Sequence, residues 1–138
     1  MALPDGDLLQ RIGGAVTAAA GEAWRSATLS ITGLSAATSA RLMIERQDGS
    51  LVRATDLADE ALLWCDDLRD GMYADGEGTW YNATITVTVD GQIESTFDYD
   101  TPPFAGEVTD DLLLDDQEAY PRAADRLPEW HPSRTALA

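Results

Sequence analysis

The sequence predicts an α+β domain: an antiparallel sheet of about four to five strands with helices packed on one face. Three observations lead to it. Residues 42–54 and 81–99 alternate apolar and polar side chains around an Asp-Gly pair, which is the pattern of a hairpin. Residues 5–23 and 56–70 instead repeat apolar residues at the 3.6-residue period of a helix. The chain has 138 residues, 44% hydrophobic and 25% charged, enough for one core and too few for two. Residues 1–138 are therefore read as one domain. Folding a chain of this size hides roughly two thirds of its unfolded surface, so neither disulfides nor metals are needed as staples.

The first helix runs from about Asp5 to Ala23, with Leu8, Ile12, Ala15, Val16 and Ala19 on one face. Gly13, Gly14 and Gly21 each weaken it by about 1 kcal/mol relative to Ala, so it leans on tertiary contacts. Ala27, Leu29 and Ile31 then alternate, a turn is expected around Gly33, and Leu42 and Ile44 form a second alternating run. With Gly49 as the third residue of a three-residue loop, Ile44 pairs with Val52 and Leu42 with Ala54.

Residues 56–70 give the clearest helix. Leu57, Ala61, Trp64, Cys65 and Leu68 line one arc, and Asp56, Asp59, Glu60, Asp66, Asp67 and Asp70 the other. The first-turn acids favour the helix dipole, whereas Asp66, Asp67 and Asp70 near the C-terminal end oppose it. A flexible acidic turn, Asp75-Gly76-Glu77-Gly78, leads into the strongest strand signal. A two-residue loop at 90–91 would split the apolar residues between faces. A three-residue loop, Val89-Asp90-Gly91, pairs Val87 with Ile93, Ile85 with Ser95 and Ala83 with Phe97. Asp98 and Asp100 then face away from the core, beside Asn82 and Trp80. Pro102-Pro103 stops the strand, a helix runs from a Thr109 cap to Tyr120, and Pro121, Pro128 and Pro132 make the tail wrap the surface.

Charge is the unusual feature. The chain carries 25 acids and nine basic residues, all Arg, for a net −16 and a pI near 4.1. Residues 1–55 hold five acids and five arginines, so the whole net charge lies in residues 56–138. Such a surface repels nucleic acid and anionic membranes, and neither is an expected partner. Cys65 and His131 are the whole inventory of soft metal ligands, too few for zinc, and one cysteine makes no internal disulfide. Asp5 and Asp7 stand where a signal peptide has positive charge, and no long apolar run follows, so a cytoplasmic location is expected.

No catalytic constellation emerges. Asp98 and Asp100, two apart on a strand, could present carboxylates to a hard cation, but they lack a phosphate loop or a basic partner. Cys65 lies on the apolar arc of an acidic helix, where packing outweighs nucleophilic chemistry, and His131 reads as a surface ring in a proline-flanked tail. The reading is a non-enzyme with no catalytic residue, cofactor or metal ligand. What remains is an acidic surface with Trp80, Tyr99, Phe104, Tyr120 and Trp130 among the acids, the composition of an interface for a basic protein.

The stretch Gly78-Thr79-Trp80-Tyr81, then Asp90-Gly91, then Phe97-Asp98-Tyr99-Asp100 with Pro103-Phe104, resembles the C-terminal core of the YezG-like immunity proteins. Asp116-Gln117-Glu118-x-Tyr120-Pro121-Arg122 and Leu127-Pro128-x-Trp130 are similar to the tails of actinobacterial relatives, and the resemblance covers residues 78–131. It implies an antitoxin that binds a cognate toxin domain, of nuclease or NAD-degrading type, and occludes its active site. The expected contact residues are Asp66, Asp67, Asp70, Trp80, Asp98, Tyr99, Asp100, Asp115, Asp116 and Glu118, of which Trp80, Asp98, Tyr99 and Asp100 match the family motif. Two other readings stand beside it: a small metal-dependent enzyme using Asp98 and Asp100, and an acidic mimic of nucleic acid that binds basic proteins.

Overall fold

A computed structural model describes residues 3–137, with side chains described for residues 3–134. Five strands, β1 (Trp24–Leu34), β2 (Ala37–Arg46), β3 (Leu51–Ala54), β4 (Asn82–Thr88) and β5 (Ile93–Asp98), form one antiparallel sheet in the order β3-β2-β1-β4-β5. Four helices accompany them: α1 (Gly6–Ala20), α2 (Asp59–Gly71), α3 (Asp110–Ala119) and α4 (Pro132–Leu137). The fold is α+β.

Both hairpin registers follow the sequence expectation. Leu42 pairs with Ala54 and Ile44 with Val52; Val87 pairs with Ile93, Ile85 with Ser95 and Ala83 with Phe97. Gly49 (φ 86°) and Gly91 (φ 91°) supply the left-handed residue that each three-residue loop needs. The β1–β2 turn differs: Gly33 stays in the strand opposite Thr38, and the chain reverses at Ser35-Ala36. The glycine answers to space instead. A Cβ at residue 33 would lie 3.1 Å from Cδ of Arg69.

α1 is capped by Asp5, whose carboxylate accepts from the N–H groups of Asp7 (2.8 Å) and Leu8 (3.3 Å). It ends at Ala20, because Gly21 turns to φ 76°. Gly13 lets the helix sit close to the sheet: a Cβ there would lie 2.7 Å from the Ile93 side chain. α2 starts at Asp59 with Ala58 before it, so Asp56 and Leu57 precede the helix.

α1 and α2 cover one face of the sheet. Ile12 and Val16 of α1 and Cys65 and Leu68 of α2 pack on Leu29, Ile31, Leu42, Ile44, Ile85 and Val87, all nearly inaccessible to solvent. The opposite face carries the other half of the alternation, mostly Ser and Thr, exposed or half-buried; residues 101–104 cross one end of it, where Asn82 Nδ2 donates to the carbonyls of Thr101 and Pro102. Trp80 corrects the sequence reading. β4 begins only at Asn82, so the alternation does not reach back to residue 80. Trp80 instead turns into the core, fully buried, with its ring 5.7 Å from that of Phe97 and its Nε1–H on Met72 Sδ at 3.3 Å.

Tyr81, next to it, enters a second cluster with Leu34 and Leu113, against which Phe104, Val108, Leu112 and Trp130 pack. The chain reaches that cluster through a short 3-10 segment, Pro103–Gly106, in which Phe104, Ala105 and Gly106 all have positive φ. The N–H of Phe104 is anchored on Thr32 Oγ1 at 2.8 Å. His131 is likewise not a surface ring: it is fully buried behind Trp130, 5.9 Å between ring centroids.

This two-sided sheet predicts opposite outcomes for two alanine substitutions. Leu29→Ala, on the covered face of the central strand, should lower stability by about 2–5 kcal/mol. Thr84→Ala, on the open face, should stay within about 0.5 kcal/mol of the parent. Urea unfolding monitored by circular dichroism measures both.

Candidate partner-binding face

Arg69 decides how the acidic helices are arranged. It lies on α2 next to the apolar arc and is 1% exposed. Its Nη1 and Nη2 donate to Oδ1 (2.7 Å) and Oδ2 (3.0 Å) of Asp116 on α3, and its Nε donates to the Trp80 carbonyl at 2.6 Å. Asp116 Oδ1 also accepts the Ser35 N–H of the β1–β2 turn at 2.8 Å. One carboxylate therefore joins α2, α3 and the end of β1. Tyr120 closes the same junction: its hydroxyl donates to Asp70 at 2.8 Å and its ring lies 5.2 Å from the Arg69 guanidinium.

With Asp116 turned inward, the remaining acids of the two helices turn outward. Asp59, Glu60, Asp66, Asp67 and Asp70 on α2, and Asp110, Asp111, Asp115 and Glu118 on α3, are all exposed. None of the nine is in an ion pair among the described residues. Leu62 (37%) and Leu63 (66%) are exposed among them. Together with Ser35, Ala36, Thr38 and Asp66 they border a shallow depression of about 240 Å³. On α2 the exposed carboxylates thus stand beside a small apolar notch that Asp66 borders. These leucines fall outside the arc Leu57, Ala61, Trp64, Cys65 and Leu68, and that misfit was the available sequence signal for them.

Asp98, Tyr99 and Asp100 do different work. Asp98 Oδ1 accepts the N–H groups of Asp100 (2.9 Å) and Thr101 (3.0 Å), closing the turn after β5. Burial pushes its carboxyl up, but the bonds from Thr101 and Asp100 outweigh that and hold it below the usual 3.8. Asp98 pairs with Asn82 on the open face of the sheet, opposite α2. Tyr99 is half-buried, and its carbonyl accepts Nη1 of Arg122 at 2.8 Å. Asp100 is exposed, and its carbonyl accepts Trp130 Nε1–H at 2.6 Å.

Of the ten expected contact residues, then, Asp66, Asp67 and Asp70 are exposed on α2 and Asp115 and Glu118 on α3. Asp98, Tyr99 and Asp100 lie elsewhere, and Trp80 and Asp116 are inside the protein. A buried Trp in the core and a carboxylate spent on a buried guanidinium have no surface to offer a partner.

Arg122, like Arg69, has a role that sequence reasoning missed. It is 6% exposed, donates to the Thr79 carbonyl at 2.6 Å and stacks over the Tyr81 ring at 4.2 Å. Burial lowers its pKa. The turn 75–78, expected to be flexible, is held by this strand of the tail: Ala123 N–H bonds the Gly76 carbonyl at 2.8 Å and residues 76 and 77 bridge to Arg122. Gly78 (φ 71°) is obligatory, since a Cβ there would meet Arg122 Cγ at 2.5 Å.

No family model and no curated protein matches the chain. Its chemistry is therefore read from the groups themselves. Burial pushes the Cys65 thiol up to about 12, which keeps it protonated and unreactive. Among the described residues, no three His, Cys, Asp or Glu side chains are grouped to hold a metal ion, and no helix is long and apolar enough to cross a membrane.

Two predictions follow from these environments. Asp116→Ala strands the Arg69 charge in the interior and should cost about 3–5 kcal/mol, whereas Asp115→Ala, one residue away and exposed, should be nearly neutral by the same unfolding assay. His131 is held below the usual 6.5, first by burial and then by the Arg122 charge. A depressed folded-state value means that the unfolded chain takes up the proton first as pH falls. Stability relative to His131→Gln should therefore be constant above about pH 7 and drop below about pH 6.5. Parallel melts across that range read the difference.

Proposed function

We propose that this protein neutralises a basic partner protein by covering it with the outer face of α2 and α3, in the manner of the immunity proteins that its C-terminal half resembles. The observation that carries this reading is the set of nine exposed carboxylates on α2 and α3 that are in no ion pair among the described residues, with Leu62 and Leu63 exposed beside those of α2. The partner is a toxin domain whose active-site cleft is lined by Lys and Arg, as clefts that hold phosphates are, in a nuclease or an NAD-degrading enzyme alike. The protein performs no chemistry of its own and acts in the cytoplasm, where the toxin's substrates are.

The two parts of the face have separate tasks. Carboxylates accelerate encounter at long range, with association rate constants reaching about 10⁸–10⁹ M⁻¹s⁻¹ at low salt. Leu62 and Leu63 act only at contact, where burying a leucine side chain is worth about 1.5–3 kcal/mol and slows dissociation. The rigid junction at Arg69 and Asp116 holds both parts in one orientation before the partner arrives, so little ordering entropy is lost on binding.

The test uses the polypeptide encoded beside this one, co-expressed for growth rescue and purified for stopped-flow kinetics. Converting Asp66, Asp67 and Asp70 to Asn should slow association and flatten its salt dependence as the Debye length shrinks from about 10 Å at 0.1 M to about 3 Å at 1 M. Leu63→Ala should chiefly raise the dissociation rate. An association rate that ignores both salt and the triple change would refute the steering role of this face.

A further inference from the structure

β2 is longer than the strand beside it. It runs from Ala37 to Arg46, whereas β3 pairs only with its residues 42–45. On that side, residues 37–41 have no neighbouring strand among the described residues. The parity of the ladder decides which groups are left over. Arg46 donates its N–H to the Ser50 carbonyl, so the even-numbered residues of β2 turn their backbone toward β3 and the odd-numbered ones toward β1. Thr38 and Ala40 therefore each aim an N–H and a carbonyl outward along the free stretch. None of these four groups has a hydrogen-bond partner among the described residues.

This edge forms the floor of a trough whose opposite wall is α2. Two depressions follow it end to end, and Leu62 borders both. The first, of about 270 Å³, lies beyond Ala54, between Ala40, Arg41 and Arg53 on the sheet and Leu57 and Leu62 across from them. The second is the notch of about 240 Å³ that runs from Ala37 and Thr38 to Leu63 and Asp66. The two ends differ in charge. Arg41 and Arg53 stand at the first, in no ion pair among the described residues. Asp66 stands at the second, where its Oδ1 accepts the Thr38 hydroxyl at 3.1 Å.

An unpaired edge beside an apolar wall is suited to an extended chain, which main-chain bonds hold and alternate side chains select. Building on the partner-binding reading of α2, we infer that the partner protein lays an extended segment into this trough, antiparallel to β2 and in line with β3, as a sixth strand of the sheet. Five residues at about 3.4 Å each span about 17 Å, the length of the uncovered edge. The segment's residues opposite Thr38 and Ala40 exchange both backbone bonds with them and point, as those two side chains do, toward α2. Opposite Ala40 the fitting side chain is apolar, packed on Leu57 and Leu62. Opposite Thr38 it is Lys or Arg, with its stem along Leu62 and Leu63 and its head on Asp66. The residue opposite Arg41 points to the other face, where a carboxylate meets Arg41 and Arg53. From N- to C-terminus the segment reads acid, apolar, any residue, base. A second copy is a poorer occupant, because pairing two β2 edges sets the exposed acids of one α2 beside those of the other.

Backbone amide exchange followed by NMR, on the full chain alone and bound to the polypeptide encoded beside it, tests the added strand. Alone, the amides of Thr38 and Ala40 should exchange fast, while those of Ser39 and Arg41, which face β1, exchange slowly. In the complex the Thr38 and Ala40 amides should slow at least tenfold. Ala40→Pro removes one outward donor that carries no bond in the free protein, a place where an edge strand tolerates proline. It should weaken the complex at least tenfold with the circular dichroism spectrum unchanged; the exchange data on the parent decide by themselves if this variant does not fold. A complex in which both amides still exchange fast, or one that the folded proline variant forms as tightly as the parent, would overturn the added strand and leave the helical face as the binding site. Absence of any complex would overturn both. Protection of the same two amides in the free chain, rising with concentration alongside a dimer in sedimentation velocity, would give the edge to a second copy and overturn the assignment to a partner.

Discussion

The Arg69–Asp116 pair sits where three parts of the molecule meet: the inner side of α2, the end of α3 and the turn between β1 and β2. Taking two charges out of water is expensive, and the attraction between them offsets that only when every remaining polar atom is bonded. Here the two oxygens of Asp116 take two guanidinium bonds and a backbone N–H, and the third guanidinium edge finds the Trp80 carbonyl. Such a pair contributes less to stability than an apolar substitute of the same shape could. Its effect is on uniqueness: only one placement of α3 satisfies both the fork of Arg69 and the N–H of Ser35. Gly33 belongs to the same constraint, because the Arg69 stem runs against it with no room for a side chain.

A second guanidinium does for the tail what Arg69 does for α3. Arg122 bonds the carbonyls of Thr79 and Tyr99 and lies against the Tyr81 ring. The strands on both sides of the β4–β5 hairpin are therefore tied to one residue beyond it in sequence. The tail has few hydrophobic residues and several prolines, so propensity alone would leave it loose. Arginine suits this task because its planar fork reaches several carbonyls while its stem and face pack on aromatic rings. Gly78, Thr79, Tyr81 and Tyr99 line this clamp.

Charge is then sorted by depth and by side. Asp116, which meets Arg69, goes inward, and the other acids of α2 and α3 are left exposed, where water and salt limit their mutual repulsion. Asp66, Asp67 and Asp70 lie near the C-terminal end of α2 against the helix dipole, an arrangement that intrinsic stability does not favour. The open sheet face shows the contrasting solution, with opposite charges held at opposite edges and hydroxyls between.

The sequence by itself determined the fold class and the two hairpin registers. Each of those depends on neighbours in the chain: alternation in Tyr81–Val87, and a glycine at the left-handed position of a three-residue loop. It also determined which helices are acidic. Only the tertiary structure decided which acids face solvent and which face an arginine. Asp115 and Asp116 are adjacent and chemically identical, and nothing local tells them apart. What separates them is Arg69, 47 residues earlier, brought opposite one of them by the packing of α2 on the sheet. Trp80, His131 and Gly33 were misread for the same reason. Their environments are made of residues distant in sequence, and a periodic pattern reports on the element it belongs to, not on the element that later covers it.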